Sequence, residues 1–243
     1  MRLNQTQKIG EVVSNFKTQK VKTDCPKLIM HPQQIFTKQQ LWEEFVIEFQ
    51  MEYRREFKGS TDNLTNIKVL FYYFLNDLEF FKCENLIHAE NEPSFKKGLM
   101  VVGSYGIGKS AYFKVFEKIF NKHKVLRFKG YGAKDLVKSY EVCPTPFERS
   151  YMLDKTVRPK LFIDDINSER IASNYGNCDV IEEILFKQNE KKYMTYVTCN
   201  HTNHENNIEQ TLFDLGNRYG GRMHDRFFEM FNIVVFKGKS MRR

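Results

Sequence analysis

The segment Gly98-Leu-Met-Val-Val-Gly-Ser-Tyr-Gly-Ile-Gly-Lys-Ser110 carries more structural information than any other part of the chain. Its first five residues are a short apolar run followed at once by turn residues, the pattern of a strand buried on both faces in a parallel sheet. From Gly103 to Ser110 it fits GxxxxGK[ST] without a mismatch. Behind it Tyr112, Phe113, Phe116, Ile119 and Phe120 recur at helical spacing, so a helix is expected from Lys109 to Phe120. Strand, glycine-rich turn and helix together form a phosphate cradle. Gly103, Gly106 and Gly108 allow backbone N–H groups to turn inward, and Ser104, Tyr105, Ile107 and Ala111 complete the loop. The helix start adds the positive end of its dipole. In this pattern Lys109 reaches the β- and γ-phosphates of ATP, and the Ser110 hydroxyl ligates Mg²⁺.

Downstream, Pro159-Lys-Leu-Phe-Ile-Asp-Asp165 is a second apolar strand closing on two acids. Asp164 is expected to help hold Mg²⁺. Asp165 stands where a longer glutamate would polarise the attacking water. It is shorter by one methylene, about 1.5 Å of reach, so slow turnover or none is an expectation. Tyr193-Met-Thr-Tyr-Val-Thr-Cys-Asn200 is a third such strand, ending in Thr-x-Asn. The Asn200 amide can donate to a phosphate oxygen or orient water without adding charge. Further strands are expected at Val125–Phe128 and Ile233–Phe236, with helices around 133–141, 179–189, 206–217 and 221–230. This alternation predicts an α/β fold with a parallel sheet. Arg222 and Arg226, four apart, share one helix face. There they either complete a neighbouring subunit's site, neutralising charge on the γ-phosphate, or form a solvated basic face in which Arg226 pairs with Glu229.

Upstream the rhythm is helical. Thr37 and Gln40 form a capping box, and Leu41, Phe45, Phe49 and Tyr53 follow along one face. A second apolar stripe runs from Leu64 through Ile67, Leu70, Phe71, Phe74, Leu75 and Leu78 to Phe81. Residues 1–36 carry Arg2, Lys8, Lys17, Lys20, Lys22 and Lys27 against Glu11 and Asp24, and read as a basic arm. The chain thus divides into residues 1–95, a basic arm with a small helical region, and 96–243, the phosphate-binding domain. With 243 residues, 41% of them hydrophobic, the chain is long enough for a large core and is no disordered tail. Its net charge of +8 favours a polyanionic partner. No apolar run is long enough to cross a membrane and the N-terminus lacks a signal-peptide pattern, so a cytoplasmic protein is expected. Five cysteines without CxxC spacing argue against a disulfide frame or zinc ribbon. Cys199-Asn-His-Thr-Asn-His204 reads as a polar loop after a strand rather than a metal site.

The cradle, Leu161-Phe-Ile-Asp-Asp165, Thr198-Cys-Asn200 and the Arg-x-x-x-Arg of residues 222–226, in this order, resemble the AAA+ initiator/loader group, above all the DnaC/DnaI/IstB type of helicase loaders and transposition helpers. Arg218-Tyr-Gly-Gly-Arg-Met-His-Asp-Arg226 and the strand and Ser240-Met-Arg242 behind it are similar to the box that ends loader domains. The resemblance covers residues 103–243 and implies a three-layer P-loop NTPase fold with little or no helical lid, in keeping with a sequence ending at Arg243. It implies Arg226 as an arginine finger, Arg222 as its neighbour and Arg242 as a late sensor arginine. It further implies ATP and Mg²⁺, self-association into an open ring or spiral, single-stranded DNA along a basic surface, and docking of a DnaB-like replicative helicase, with residues 37–82 as the docking part, in a bacterial or phage-infected cell. Three other readings fit the same motifs: a small superfamily-three-like helicase, an IstB-like transposition helper, and a nucleotide-gated scaffold that never hydrolyses ATP. The first 95 residues match no loader N-domain.

Overall fold

All six residues of the run Gly98–Gly103 are buried, and the reason is their position inside a sheet rather than at its edge. A computed structural model of the chain describes residues 35–88, 92–173 and 176–241. In chain order its strands are β1 (Gly98–Gly103), β2 (Lys129–Gly132), β3 (Lys160–Ile166), the short pair β4 (Ala172–Ser173) and β5 (Asn177–Cys178), β6 (Met194–Cys199) and β7 (Phe231–Phe236). Its helices are α1 (Lys38–Tyr53), α2 (Thr61–Phe74), α3 (Lys109–Phe120), α4 (Ala133–Glu141), α5 (Pro146–Thr156), α6 (Val180–Glu190), α7 (Ile208–Tyr219) and α8 (Gly221–Met230). Five strands form one parallel sheet in the order β2-β3-β6-β1-β7.

Side chains alternate across the pleat, and each face of the sheet has its own core. Leu99, Val101, Phe162 and Val234 join α1, α2 and α3 on one side. Met100, Val102, Ile163, Val197 and Ile233 join α4, α6, α7 and α8 on the other. The result is the three-layer α/β P-loop fold with a central parallel sheet that the sequence predicts.

The upstream helices belong to this same core. The capping box of α1 is present, with the Gln40 N–H donating to the Thr37 hydroxyl at 3.2 Å and the Thr37 N–H to the Gln40 side chain at 2.9 Å. The Phe45 ring lies 5.9 Å from Tyr112 and 5.4 Å from Phe116 on α3. Phe74 of α2 lies 4.8 Å from Phe116. Asn66 donates to the Lys237 carbonyl at 2.7 Å and accepts from its N–H at 3.2 Å, tying α2 to the end of β7. The described residues from Phe36 onward cluster as one compact unit. The basic arm of residues 1–36 lies outside the described residues as far as residue 34.

Other expectations shift. The run Val125–Phe128 is not the second strand; that strand is Lys129–Gly132. Phe128 is buried in the aromatic core from the preceding turn, whereas Val125 is exposed. The apolar signal there reports packing of a turn, not a sheet ladder. The second helix stops at Phe74, after which Asn76 turns left-handed (φ 51°) and Leu78–Lys82 form a single 3₁₀ turn. Two elements were not anticipated: α5, which begins with a Thr145–Glu148 capping box and a proline in its first turn, and the β4–β5 hairpin.

Candidate functional site

Lys109 opens α3 at the carboxyl end of β1, and its side chain is almost wholly buried. A buried ammonium requires oxygen partners. The Lys109 Nζ donates to the Gly103 carbonyl at 2.6 Å, to the Ser104 carbonyl at 2.9 Å and to the Asn200 Oδ1 at 2.9 Å. The loop holds this geometry through Gly106 and Gly108, at φ 79° and 99°, where side chains are strained. A Cβ on Gly106 would also run into Ser240.

The acidic pair is aimed by an irregularity in β3. Pairing with β6 shifts register between Ile163 and Ile166, and Asp165 and Asn167 turn left-handed, at φ 59° and 67°. A bulge of this kind redirects side chains at a strand end, and Asp and Asn tolerate that region better than most residues. Thr198 joins the two acids: its hydroxyl donates to Asp164 Oδ1 at 2.6 Å and accepts from the Asp165 N–H at 2.9 Å. Asn200 donates from Nδ2 to Asp165 Oδ1 at 2.6 Å while its oxygen accepts from Lys109. One amide thus bridges the cradle lysine and the second acid.

These groups face one cavity of about 520 Å³. Among the residues expected from sequence, Tyr105, Gly106, Ile107, Gly108, Lys109, Ser110, Ala111, Asp164, Asp165 and Asn200 all line it. Gly103 and Ser104 contribute carbonyls to Lys109 from behind. The start of α3, a lysine and a polar amide converge on this cavity, a lining that suits phosphate groups. Ser110 and Asp164 offer one hydroxyl and one carboxylate, hard oxygens of the type Mg²⁺ accepts beside phosphate oxygens and water. Among the described residues no group of three or more His, Cys, Asp or Glu side chains could hold a metal by itself. Cys199 ends β6, and residues 200–204 follow it as a loop. Burial, aided by Lys109, lowers the His201 pKa, and burial pushes the Cys199 thiol up to about 12.

Arg222 and Arg226 do not line this cavity within one chain. Both lie on α8. Arg222 is exposed, whereas the Arg226 guanidinium stacks 3.7 Å from the Phe186 ring centroid, with a buried Nη1 that has no hydrogen-bond partner. Glu229, the alternative intrahelical partner, pairs with Lys192 at 2.5 Å. Arg242 lies outside the described residues.

Four further residues line the cavity without having been foreseen: Tyr53, Arg55, Lys114 and Met241. Arg54, at φ 50°, ends α1 and turns the chain, and Arg55 then donates to the Met241 carbonyl at 3.0 Å. The Met241 N–H donates to the Gly106 carbonyl at 2.9 Å, so the end of the described chain straps across the cradle. Burial, with Glu52 and Asp164 adding, pushes the Tyr53 hydroxyl up to about 12. Only the position of Tyr53 on the α1 stripe was visible in the sequence; the long-range contacts were not. The second apolar stripe, Leu64 to Phe81, contributes no residue to the cavity lining.

No protein-family model matches the chain, and no curated protein matches it in sequence. Solved structures similar to it include the DnaC helicase loader, at 23% identity and TM-score 0.48, covering 76% of this chain and 94% of that one. DnaI is similar at 21% identity and TM-score 0.49, covering 71% and 85%. DnaA from Aquifex aeolicus, solved with AMPPCP, is similar at 15% identity and TM-score 0.45, covering 74% and 48%. The chain has an α/β P-loop-type fold. Among the described residues no helix is long and apolar enough to cross a membrane.

Proposed function

We propose that this protein is an AAA+ ATPase that works as a helicase loader in DNA replication. The observation that carries the nucleotide part is the meeting of Lys109, Asp164, Asp165 and Asn200 around one cavity behind a glycine-rich loop. Lys109 and the loop amides bind the phosphates. Ser110 and Asp164 hold Mg²⁺, which supplies charge neutralisation when bound. Asp165 and Asn200 orient the attacking water. Tyr53, Arg55 and Met241 form the wall against which the base and ribose rest.

The loader part is supported by the order of motifs and by the Arg218–Arg226 box. In that reading Arg226 acts in trans in an open ring or spiral. Single-stranded DNA is held through phosphate contacts that weaken with salt, in line with the net charge of +8. A DnaB-like helicase is the partner, docking on the N-terminal part in the cytoplasm of a bacterial or phage-infected cell.

One observation favours a second reading, a switch that binds ATP without hydrolysing it. Asp165 is short and its Oδ1 is already engaged by Asn200 at 2.6 Å. ATP turnover with and without single-stranded DNA separates the two. DNA-stimulated turnover lost in both Lys109→Ala and Arg226→Ala supports the loader ATPase. Tight ATP binding with no turnover, and turnover gained in Asp165→Glu, supports the switch.

A further inference from the structure

Behind the acidic pair lies a buried polar cluster that the nucleotide chemistry does not use. Tyr219, the last residue of α7, is 1% exposed. Its hydroxyl accepts from the Asn167 N–H at 2.8 Å and donates to Glu169 Oε1 at 2.7 Å. Arg218, beside it, pairs with Asp179 and lies 3.5 Å from Glu169. Asp179 in turn caps α6, accepting from the Glu182 N–H at 3.3 Å. On the other side, Ser168 donates to the Asp165 carbonyl at 2.6 Å. Burial holds the Glu169 carboxyl above its usual range, against the pull of Tyr219 and Arg218. Its second oxygen is buried without a hydrogen-bond partner.

The placement of this cluster gives it consequence. It grips the turn 166–169 that follows Asp165, a turn already held left-handed at Asn167. Immediately after Tyr219 the chain passes through Gly220, at φ 85°, into α8 with Arg222 and Arg226. The Tyr219 hydroxyl, with the Arg218–Glu169 contact beside it, therefore joins the loop behind the nucleotide acids to the root of the arginine helix. The core around it is close-packed, and close-packed elements tend to move between discrete arrangements rather than deform smoothly.

We infer that Tyr219 and Glu169 are positioning residues that couple the nucleotide-dependent setting of the Asp165 turn to the orientation of α8 and its arginines. This rests on the reading of the cavity as an ATP site. Neither residue touches nucleotide; both act through Asp165 and Gly220.

The test combines ATP titration with hydrogen–deuterium exchange on the full chain. Tyr219→Phe keeps the ring packing and removes only the bridging hydroxyl. It is expected to bind ATP within about twofold of wild type. Exchange over residues 220–230 is expected to change on ATP addition by about threefold or more in wild type and by less than about half of that in Tyr219→Phe. Glu169→Gln, which keeps an acceptor for Tyr219, is expected to retain the response, and Glu169→Leu to lose it. A merely structural role would instead lower melting temperature equally with and without ATP and leave the ATP response of α8 intact. Wild type that binds ATP without any response in 220–230 overturns the coupling, as does an unchanged response in Tyr219→Phe. Wild type that fails to bind ATP overturns the nucleotide-site reading, and the coupling with it; the titration alone reveals that case.

Discussion

The two faces of the sheet are built from different chemistry. On the α1–α3 side the core is a cluster of aromatic rings: Phe116 alone lies within 5.5 Å of the Phe45, Phe71, Phe74 and Phe120 rings. On the α4–α8 side it is mainly aliphatic, with Ile163, Ile181, Ile184 and Leu185 fully buried, and it contains the Tyr219–Glu169–Arg218 polar cluster. The aromatic side backs the phosphate loop through α3. The aliphatic side carries the arginine helix. Large rings with edge-to-face contacts fix one arrangement of neighbours, which suits a cradle that must present amides at set positions. On the aliphatic side a polar network with one unpaired Glu169 oxygen is set into the core, next to the element proposed to respond.

Phe116→Ala attacks this contrast most directly. It removes a fully buried ring from the cluster and is expected to cost about 3–5 kcal/mol in a urea unfolding measurement. Ile184→Val, on the opposite face, is expected to cost about 0.5–1.5 kcal/mol by the same measurement. Both sites are wholly buried. Loss of ATP binding, tested at a denaturant concentration where both variants stay folded, is expected for Phe116→Ala only. Equal effects of the two on the ATP site would break the comparison.

A smaller effect sharpens it through pH. Glu169 is held above the ordinary carboxylate value of 4.5, chiefly by burial. The folded chain therefore keeps a proton over a pH range in which the unfolded chain has released it. The stability this contributes is whole below 4.5 and declines as pH rises through the raised value. Glu169→Gln removes the decline. Melting temperature against pH should fall more steeply for wild type than for Glu169→Gln above 4.5; identical slopes would mean that the carboxyl is ionised normally.

Much of the aromatic side was legible in the sequence. The Thr37–Gln40 box, the four-residue spacing from Leu41 to Tyr53 and the glycine-rich loop all act within a turn or two of chain. The α5 start was equally local: Thr145, Pro146 and Glu148 signal a helix, although no apolar stripe follows to draw attention to it. What could not be read is long-range. Val125–Phe128 is as apolar as a strand, and only the packing of Phe128 against Phe74 and Phe162 shows why it is a turn. The cavity walls supplied by Arg55 and Met241 depend on a contact across 186 positions of sequence. Thr198 looked like part of a strand; its role in joining Asp164 and Asp165 follows from the β3 bulge, which no residue pattern announces.

The central claim is that the cavity around Lys109 binds ATP with Mg²⁺. Calorimetric titration of ATP·Mg²⁺ into wild type and Lys109→Ala tests it most directly, with melting temperatures confirming that both are folded. The account predicts saturable one-site binding in wild type, weakened by at least about 100-fold in Lys109→Ala, the scale of about 2.7 kcal/mol expected for loss of a buried charge-assisted contact to phosphate. Absence of binding in wild type, or equal affinity in the two proteins, would contradict it.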